Sequence, residues 1–170
     1  MTMIFKPGLN IARQRGAAAV EMAIIIVPMV TLCFGITELG RALYQYNGLV
    51  KATRGAARYL SQQNLASPAA GQTADGIRTN ARSLALCGAF DCASRPPLVT
   101  NLTIAMISVC DPVSCAATHA NVSTGEGTTS LVSVVIGSGD NRFAFTSLVP
   151  LIIPSINFGP VGITMAASTN

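Results

Sequence analysis

Four of the five cysteines of this chain, all except Cys33, are the residues whose number and spacing point most directly to a chemistry. They fall in two pairs of equal spacing, Cys87 with Cys92 and Cys110 with Cys115. An even number of cysteines in a small exported domain indicates disulfide bonds, and four cysteines allow three pairings. Closure within each pair requires the least rearrangement of the chain, so the sequence favours Cys87–Cys92 and Cys110–Cys115. The arrangements that link one pair to the other remain open.

The single histidine, His119, raises the alternative of a zinc site built with these cysteines. Two pairs separated by four residues are not a usual zinc-binding spacing, and an oxidising compartment favours disulfides, so we predict no metal. Asp91, Asp111 and Asp140 lie in separate predicted turns, where aspartate is common because its side chain bonds the local backbone. The sequence shows no catalytic triad, paired carboxylates or phosphate-binding loop. We therefore predict that the protein is not an enzyme and binds no cofactor.

A lone carboxylate, Glu21, interrupts the apolar run over residues 17–37. The run is long enough to cross a hydrocarbon core of about 30 Å as a helix, so we predict a transmembrane helix over residues 17–38. A carboxylate near the membrane face costs about 2–3 kcal/mol to insert, so it should either find a partner or extend to the nearby membrane surface. Pro28 removes a backbone donor within the span and is predicted to kink the helix.

The charges on either side of the span bear on the prediction of which end of it faces the cytoplasm. Residues 1–16 contain Lys6, Arg13 and Arg15 and no acid, which indicates a cytoplasmic leader under the positive-inside rule. A cleaved secretory signal is the alternative, but the apolar run is long and no small-x-small cleavage site follows it. The far side is also basic, so the exported cysteines decide the orientation. Because the net charge of +4 comes largely from residues that flank the membrane, without a basic-aromatic patch, we predict no nucleic-acid binding.

A helix is predicted to continue beyond the span over residues 39–62, because its apolar residues recur at alternating intervals of four and three. The resulting stripe comprises Leu39, Leu43, Tyr46, Val50, Thr53, Ala57 and Leu60. Two interpretations of this stripe remain open: it packs against its own domain, or it packs against neighbouring subunits. A second, short helix is predicted over residues 75–86, with Arg78 and Arg82 pointing away from the core and Gly88 ending it.

The rest of the chain predicts a small antiparallel sheet, from alternating and β-branched residues. The strands fall at residues 98–109, 130–136 and 162–168, with a turn at 137–141 and extended backbone at 142–147. Residues 148–160 are apolar but too short and too often interrupted by proline for a second span. We predict that they form a connector over the core or at the membrane surface. Residues 63–170 then form an exported α+β domain on a long N-terminal helix.

Residues 15–61 contain a series of short motifs. They are Gly16-Ala17, Val20-Glu21, Pro28, Phe34-Gly35, Glu38-x-Gly40-Arg41 and Ala56-Ala57-Arg58-Tyr59. In this order they resemble the TadE-like proteins of the tight adherence (Tad or Flp) pilus machinery, within the type IV pilin-like group. The tail, SLVPLIIPSINFGPVGITMAAS, resembles the family more weakly. The resemblance covers about the first third of the chain and hardly extends to the middle.

The resemblance implies a pilin-like fold and a leader that a dedicated membrane aspartyl peptidase cuts after Gly16, leaving Ala17 as the new N-terminus. Glu21 is then the fifth residue of the mature chain, where pilin-like proteins keep a carboxylate. In an assembly it would pair with the Ala17 amine of a neighbouring subunit and set the axial register. The chain departs from the pilins of this system at Met22, where they usually carry Tyr or Phe.

Two functions of different classes follow. The first is a minor pilin or pseudopilin of a Tad pilus that acts in assembly, priming or surface adhesion. Its partners are the prepilin peptidase, other pilins or pseudopilins, the inner-membrane assembly platform and the lipid bilayer. The second is an uncleaved single-pass membrane protein that scaffolds the secretion apparatus or binds an envelope partner. Both place the chain in the bacterial inner membrane, with its N-terminus in the cytoplasm and its C-terminal domain in the periplasm or outside the cell.

Overall fold

The computed structural model describes residues 11–151 and 153–168. It has a long N-terminal helix, a second helix and small antiparallel sheets, which confirms the predicted α+β class. The helices are α1 (Ile11–Ser61), α2 (Ala74–Cys87) and α3 (Ala116–His119), and a 3-10 turn covers Ile104–Met106. The strands are β1 (Ile107–Cys110), β2 (Val122–Ser123), β3 (Thr128–Thr129), β4 (Leu131–Ile136), β5 (Ala144–Phe145), β6 (Ile156–Asn157) and β7 (Val161–Ala166).

Helix α1 has two halves with different surroundings. The side chains of residues 16–37 are almost all exposed, although many of them are large and apolar. Further along, the helix buries one face against the domain through Glu38, Ala42, Leu49, Ala52, Thr53, Ala56, Ala57 and Leu60. Because four of these residues are alanines, the neighbouring elements can approach the helix axis closely. The helix therefore projects from the domain as an apolar rod and continues without interruption into the core.

The three-stranded sheet has the order β1-β4-β7 and is antiparallel throughout. Ile136 pairs with Ile107 on one side and with Val161 on the other, which aligns the three strands at this end. Helix α1 packs on β4 and β7, whereas α2 packs against α1 and β1. The core between them includes Leu49, Leu60, Ile77, Val132, Val134, Ile136 and Phe143. The domain thus has two layers, with the helices packed on a small sheet.

Helix α2 begins and ends with capping interactions. The Thr73 hydroxyl oxygen accepts a hydrogen bond from the Gly76 N–H at 3.0 Å, which satisfies one of the free donors of the first turn. At the other end Gly88 has φ +75°, and its N–H donates to the Leu84 carbonyl at 3.0 Å. The prediction of a helix over residues 75–86 that Gly88 ends is confirmed.

The predicted strand over residues 98–109 is wrong for most of its length, because only its last residues belong to β1, Ile107–Cys110. Val99 and Leu102 are both buried, and residues three apart on an extended strand face opposite sides. The backbone instead turns between them, since Asn101 has φ +69° and the Leu102 N–H donates to the Val99 carbonyl at 3.1 Å. The apolar residues of this stretch therefore reach the core from turns.

The other strand predictions agree with the structure in position but not always in length. Strands β4 and β7 lie within the predicted ranges to within one or two residues. The predicted turn at 137–141 contains Gly137 and Gly139, both at positive φ. The predicted extended run at 142–147 is reduced to β5, which pairs with β6 of the connector in the register Ala144 with Asn157. This pairing fixes the connector onto the domain.

The predicted apolar stripe on α1 is correct only in its second half. Ala57 and Leu60 are buried as expected, whereas Leu39 and Leu43 are each 55% exposed. In the first half the buried face lies one residue earlier and includes Glu38. Periodicity of apolar residues missed this face because burial of a glutamate depends on an ion pair, which the pattern does not reveal.

Arg78 departs from the prediction that it points away from the core. Its Nε donates to Asp111 Oδ2 at 2.6 Å and its Nη2 to Asp111 Oδ1 at 3.2 Å, while Nη1 contacts Asp75 at 2.6 Å. Asp111 is fully buried and also accepts hydrogen bonds from the backbone of Val113 and from the backbone and hydroxyl of Ser114. An aspartate expected to serve only its own turn thus also joins α2 to the loop after β1.

Candidate assembly site on the N-terminal helix

The predicted cleavage position lies on the exposed half of α1. Gly16 and Ala17 are both within the helix and both exposed. A Cβ atom built on Gly16 would have no other atom within 4 Å. Packing within the described part of the chain therefore gives no reason for a glycine at this position.

Glu21 is exposed on the same half and is surrounded by apolar side chains. Its neighbours along the helix, Val20, Met22, Ile24 and Ile25, are all exposed as well. Within residues 11–151 and 153–168, no hydrogen bond or ion pair joins Glu21 to another residue. By its length and composition this part of α1 is apolar enough to cross a membrane. In that setting Glu21 is a carboxylate that the described part of its own chain does not neutralise.

Pro28 lies inside α1, which is helical on both sides of it. Because proline has no N–H, the carbonyl one turn earlier lacks its usual donor. The hydroxyls of Thr31 and Thr37 donate to the carbonyls of Val27 and Cys33, each at 2.9 Å. These two polar side chains therefore add no unpaired donor to the apolar surface, which suits a helix surrounded by lipid.

A buried ion pair marks the point at which α1 enters the domain. Glu38 is 3% exposed, and both of its carboxylate oxygens accept hydrogen bonds from Arg41 Nη1, at 2.7 and 2.9 Å. Glu38 Oε2 also accepts a hydrogen bond from the Leu148 N–H at 3.2 Å, which fixes the connector to the helix. In the sequence Glu38 and Arg41 stand out only as parts of a family-like motif. The missed signal was an acid followed three residues later by an arginine, a spacing at which opposite charges meet on a helix.

Aromatic rings lie beside this ion pair. The guanidinium carbon of Arg41 is 5.4 Å from the centre of the buried Phe145 ring, a distance at which a cation is attracted to a ring face. The ring centre of Phe158 lies 5.7 Å from that of Phe143 and 6.4 Å from that of Phe145, in stacked arrangements. It lies 5.7 Å from the ring centre of Tyr46, in an edge-to-face arrangement. Helix α1, strand β5 and the connector are thereby held together just beyond the exposed apolar half.

The structure contains the two local disulfides that the sequence favours, Cys87–Cys92 and Cys110–Cys115. His119 lies beside the second, and its Nε2 is 2.8 Å from Ser133 Oγ. A ring nitrogen of His119 and the sulfurs of Cys110 and Cys115 lie within 4.8 Å of one another. Sulfurs bonded to each other are not the thiolates that bind zinc, so this group acts as a covalent brace for the loop after β1.

The similarity of this chain to known proteins lies in the same helix, α1. Residues 16–58 match the family model described as TadE-like protein. No curated protein and no solved structure matches the chain. The matched residues extend from the predicted cleavage position through the exposed half of α1 and the Glu38–Arg41 ion pair into the buried half. The match confirms the resemblance to the TadE-like family over residues 16–58, and it indicates a pilin-like protein associated with a Tad pilus.

Proposed function

We propose that this chain is a minor pilin or pseudopilin of a Tad (Flp) pilus and has no enzymatic activity of its own. A prepilin peptidase removes the leader after Gly16, and α1 then anchors the mature chain in the bacterial inner membrane. The N-terminal side faces the cytoplasm, and the C-terminal domain lies in the periplasm or outside the cell. The chain acts by packing with other pilins or pseudopilins and with the inner-membrane assembly platform, in assembly, priming or surface adhesion.

One observation carries the proposal: the family match covers a helix whose apolar first half is exposed and whose second half is embedded in the domain. An apolar surface of this extent must be covered, by lipid before assembly and by other helices after it. Since α1 is continuous, a subunit that packs through its first half also brings its domain to a fixed position. Gly40 and Gly55 support close helix contacts, because a Cβ on either would meet no atom of the described chain within 4 Å.

Glu21 supplies the specific contact in this proposal. Inserting its carboxylate near the membrane face costs about 2–3 kcal/mol, and no described residue of the same chain is bonded to it. The α-amino group that cleavage creates at Ala17 of a neighbouring subunit is a cation at a similar depth. Pairing of the two offsets the cost and favours one axial offset between subunits. Extension of Glu21 to the membrane surface would favour no particular offset.

Cleavage is tested by N-terminal sequencing of the chain purified from a host that has its prepilin peptidase. We expect the mature chain to begin at Ala17 and a Gly16→Leu variant to keep its leader. Gly40→Leu is the matched control, because Gly40 lies in the same helix and also faces open space. It should be cleaved normally. A wild-type chain that still begins at Met1 beside an active peptidase contradicts the proposal.

The alternative is an uncleaved single-pass membrane protein that scaffolds the secretion apparatus or binds an envelope partner. Met22 favours this alternative, because the resemblance implies Tyr or Phe at that position. Location separates the two functions, since a pilin is recovered in sheared pili and a scaffold stays with the inner membrane. Quantitative mass spectrometry of the sheared fraction makes the distinction, with an unrelated inner-membrane protein as the control for contamination.

A further inference from the structure

We propose that the tip of the connector, residues 148–151, inserts into the lipid interface beside α1 and forms a second membrane contact. The inference rests on the proposed function, since it requires the exposed half of α1 to lie in lipid. The connector tip contacts the bilayer surface, at the boundary between headgroups and acyl chains. A partner protein is the competing occupant.

The contacts of β5 and the connector with α1 show that the chain runs towards the apolar half of the helix as it enters the connector tip. Phe158 contacts Tyr46, Phe145 lies under Arg41, and Leu148 donates its N–H to Glu38. Going from Phe145 to Leu148 therefore moves the contact towards the N-terminus of α1. At a rise of 1.5 Å per residue, Tyr46 and Glu38 are about 12 Å apart along the helix. The connector tip thus lies where the predicted span, residues 17–38, ends.

The side chains of the connector tip are all apolar, and all but the half-buried Val149 are exposed. Leu148 is 73% exposed and Leu151 is 96% exposed, although both are leucines on a domain that has a core available. The sequence contains no charged residue after Arg142. On α1 itself Ile36 and Leu39 are exposed on either side of Glu38. The connector tip therefore extends an apolar surface that already exists at this depth.

The backbone of the connector tip is also suited to a setting that is poor in water. The Leu148 N–H donates to Glu38, and the Val149 N–H donates to Ser147 Oγ at 3.1 Å. Pro150 has no N–H to satisfy, and the Val149 carbonyl accepts from the Ile153 N–H at 3.2 Å. Unpaired backbone donors are what usually keep a loop out of an apolar environment. Here that obstacle is removed at three successive positions.

Size favours lipid over a protein partner. A stable protein interface buries about 1,200–2,000 Å² in total, which two leucine side chains at a loop tip cannot supply. Interfacial segments insert only about 5–10 Å into the boundary between headgroups and acyl chains, a depth within the reach of a short loop. The connector tip therefore fits a shallow membrane contact that adds to the anchor.

Tryptophan fluorescence tests the inference, because the chain contains no tryptophan of its own. Three single-tryptophan variants of the full chain are placed in phosphatidylcholine–phosphatidylglycerol vesicles whose acyl chains carry bromine, which quenches tryptophan on contact. Leu151→Trp reports on the connector tip, Ile25→Trp on the span and Val113→Trp on the far end of the domain. All three positions are exposed, which makes the variants matched.

Val113 is a suitable control because of its position. Its neighbour Pro112 borders a hollow with Asn64 and Ser168, and the Ser168 N–H donates to the Ser61 carbonyl at the end of α1. Ser61 lies about 35 Å from Glu38 along the helix. A tryptophan at position 113 is therefore well beyond the reach of the lipid.

We expect bromine to reduce the emission of Leu151→Trp and Ile25→Trp but not that of Val113→Trp. Bromine near the headgroups should quench Leu151→Trp more, and bromine near the chain ends should quench Ile25→Trp more. Quenching of Ile25→Trp without quenching of Leu151→Trp overturns the inference and leaves the span intact. A blue-shifted but unquenched Leu151→Trp overturns it in favour of a protein contact. An unquenched Ile25→Trp contradicts the membrane span of the proposed function itself.

Discussion

At the scale of single residues, Arg78 and Asp111 form a buried ion pair that holds α2 to the loop after β1. Burial by itself raises the pKa of the Asp111 carboxyl, but the hydrogen bonds from Arg78, Ser114 and Val113 bring that pKa well below its usual range. The hydrogen bond to Asp111 in turn raises the pKa of the Arg78 guanidinium. Removal of either partner leaves the other charge buried without compensation.

We expect Asp111→Asn to lower the free energy of unfolding by about 3 kcal/mol, because Arg78 loses its buried counter-ion. Asp75→Asn is the matched control, since this carboxylate contacts the same arginine but is 91% exposed. Its loss should have a much smaller effect. Denaturant unfolding of the full chain in detergent, followed by circular dichroism, measures both. Equal effects of the two substitutions would contradict the importance of the buried pair.

The same carboxylate predicts a dependence of stability on pH. The folded-state pKa of Asp111 is lowered, so as the pH falls the unfolded chain takes up this proton first. The contribution of Asp111 is therefore fully present above its unfolded pKa of about 4 and is lost as the pH falls towards the folded pKa. Thermal unfolding at a series of pH values should show a steeper decline below about pH 4 in the wild type than in Asp111→Asn. Parallel curves for the two proteins would refute this assignment.

At the scale of elements, the turn at residues 98–102 lies closely against α1 because position 48 is a glycine. A Cβ built on Gly48 would lie 2.8 Å from Val99 Cγ2. Val99 is buried, and its branched side chain has little freedom to rotate away. The glycine is thus a requirement of packing between the helix and this turn.

Gly48→Ala is therefore expected to destabilise the full chain by about 1–3 kcal/mol through overpacking, in spite of the better helix propensity of alanine. Gly55→Ala is the control, because it lies in the same helix and faces open space. That substitution should stabilise the chain by up to about 1 kcal/mol. Denaturation midpoints in detergent compare the two, and a stabilising Gly48→Ala would show that the turn is not held against the helix.

The elements also show what the sequence could predict and why. Helix α2 and strands β4 and β7 follow from periodic patterns with clear ends such as Gly88, and the disulfides follow from a separation of only five residues. The turns before β1 were not predicted, because apolar and polar residues can alternate along a stretch of chain that is not extended. The roles of Glu38 and Asp111 were not predicted either. Apolar periodicity takes no account of the Glu38–Arg41 ion pair that permits burial of Glu38, and the Arg78 partner of Asp111 lies far away in the sequence.

At the scale of the whole molecule, the chain combines a disulfide-braced domain with a helix whose apolar half is left uncovered. In the proposed function that uncovered half is where subunits meet, and Glu21 decides how they are aligned. Glu21 therefore stabilises the contacts between subunits, and its substitution should not change the free energy of unfolding of the isolated chain. An effect of this kind has to be measured in pili.

We expect Glu21→Gln to be cleaved and inserted normally but to be depleted from pili, because an amide cannot form the ion pair with the Ala17 amine. A loss of about 1.4 kcal/mol for each contact corresponds to about tenfold less incorporation. Glu126→Gln, an exposed acid between β2 and β3, should be incorporated normally. Mass spectrometry gives the ratio of chain in sheared pili to chain in membranes. Normal incorporation of Glu21→Gln would remove the register role from this residue.

The continuity of α1 has a mechanical consequence. In the proposed function no joint separates the span from the domain, so the helix works as a lever arm and the tilt of the span in the bilayer aims the disulfide-bonded end of the domain. Over the roughly 35 Å between Glu38 and Ser61, a tilt of about 20° swings the far end sideways by about 12 Å. In the assembly that we propose, membrane thickness and the packing of neighbouring helices set the tilt and so determine the position of a surface that touches neither.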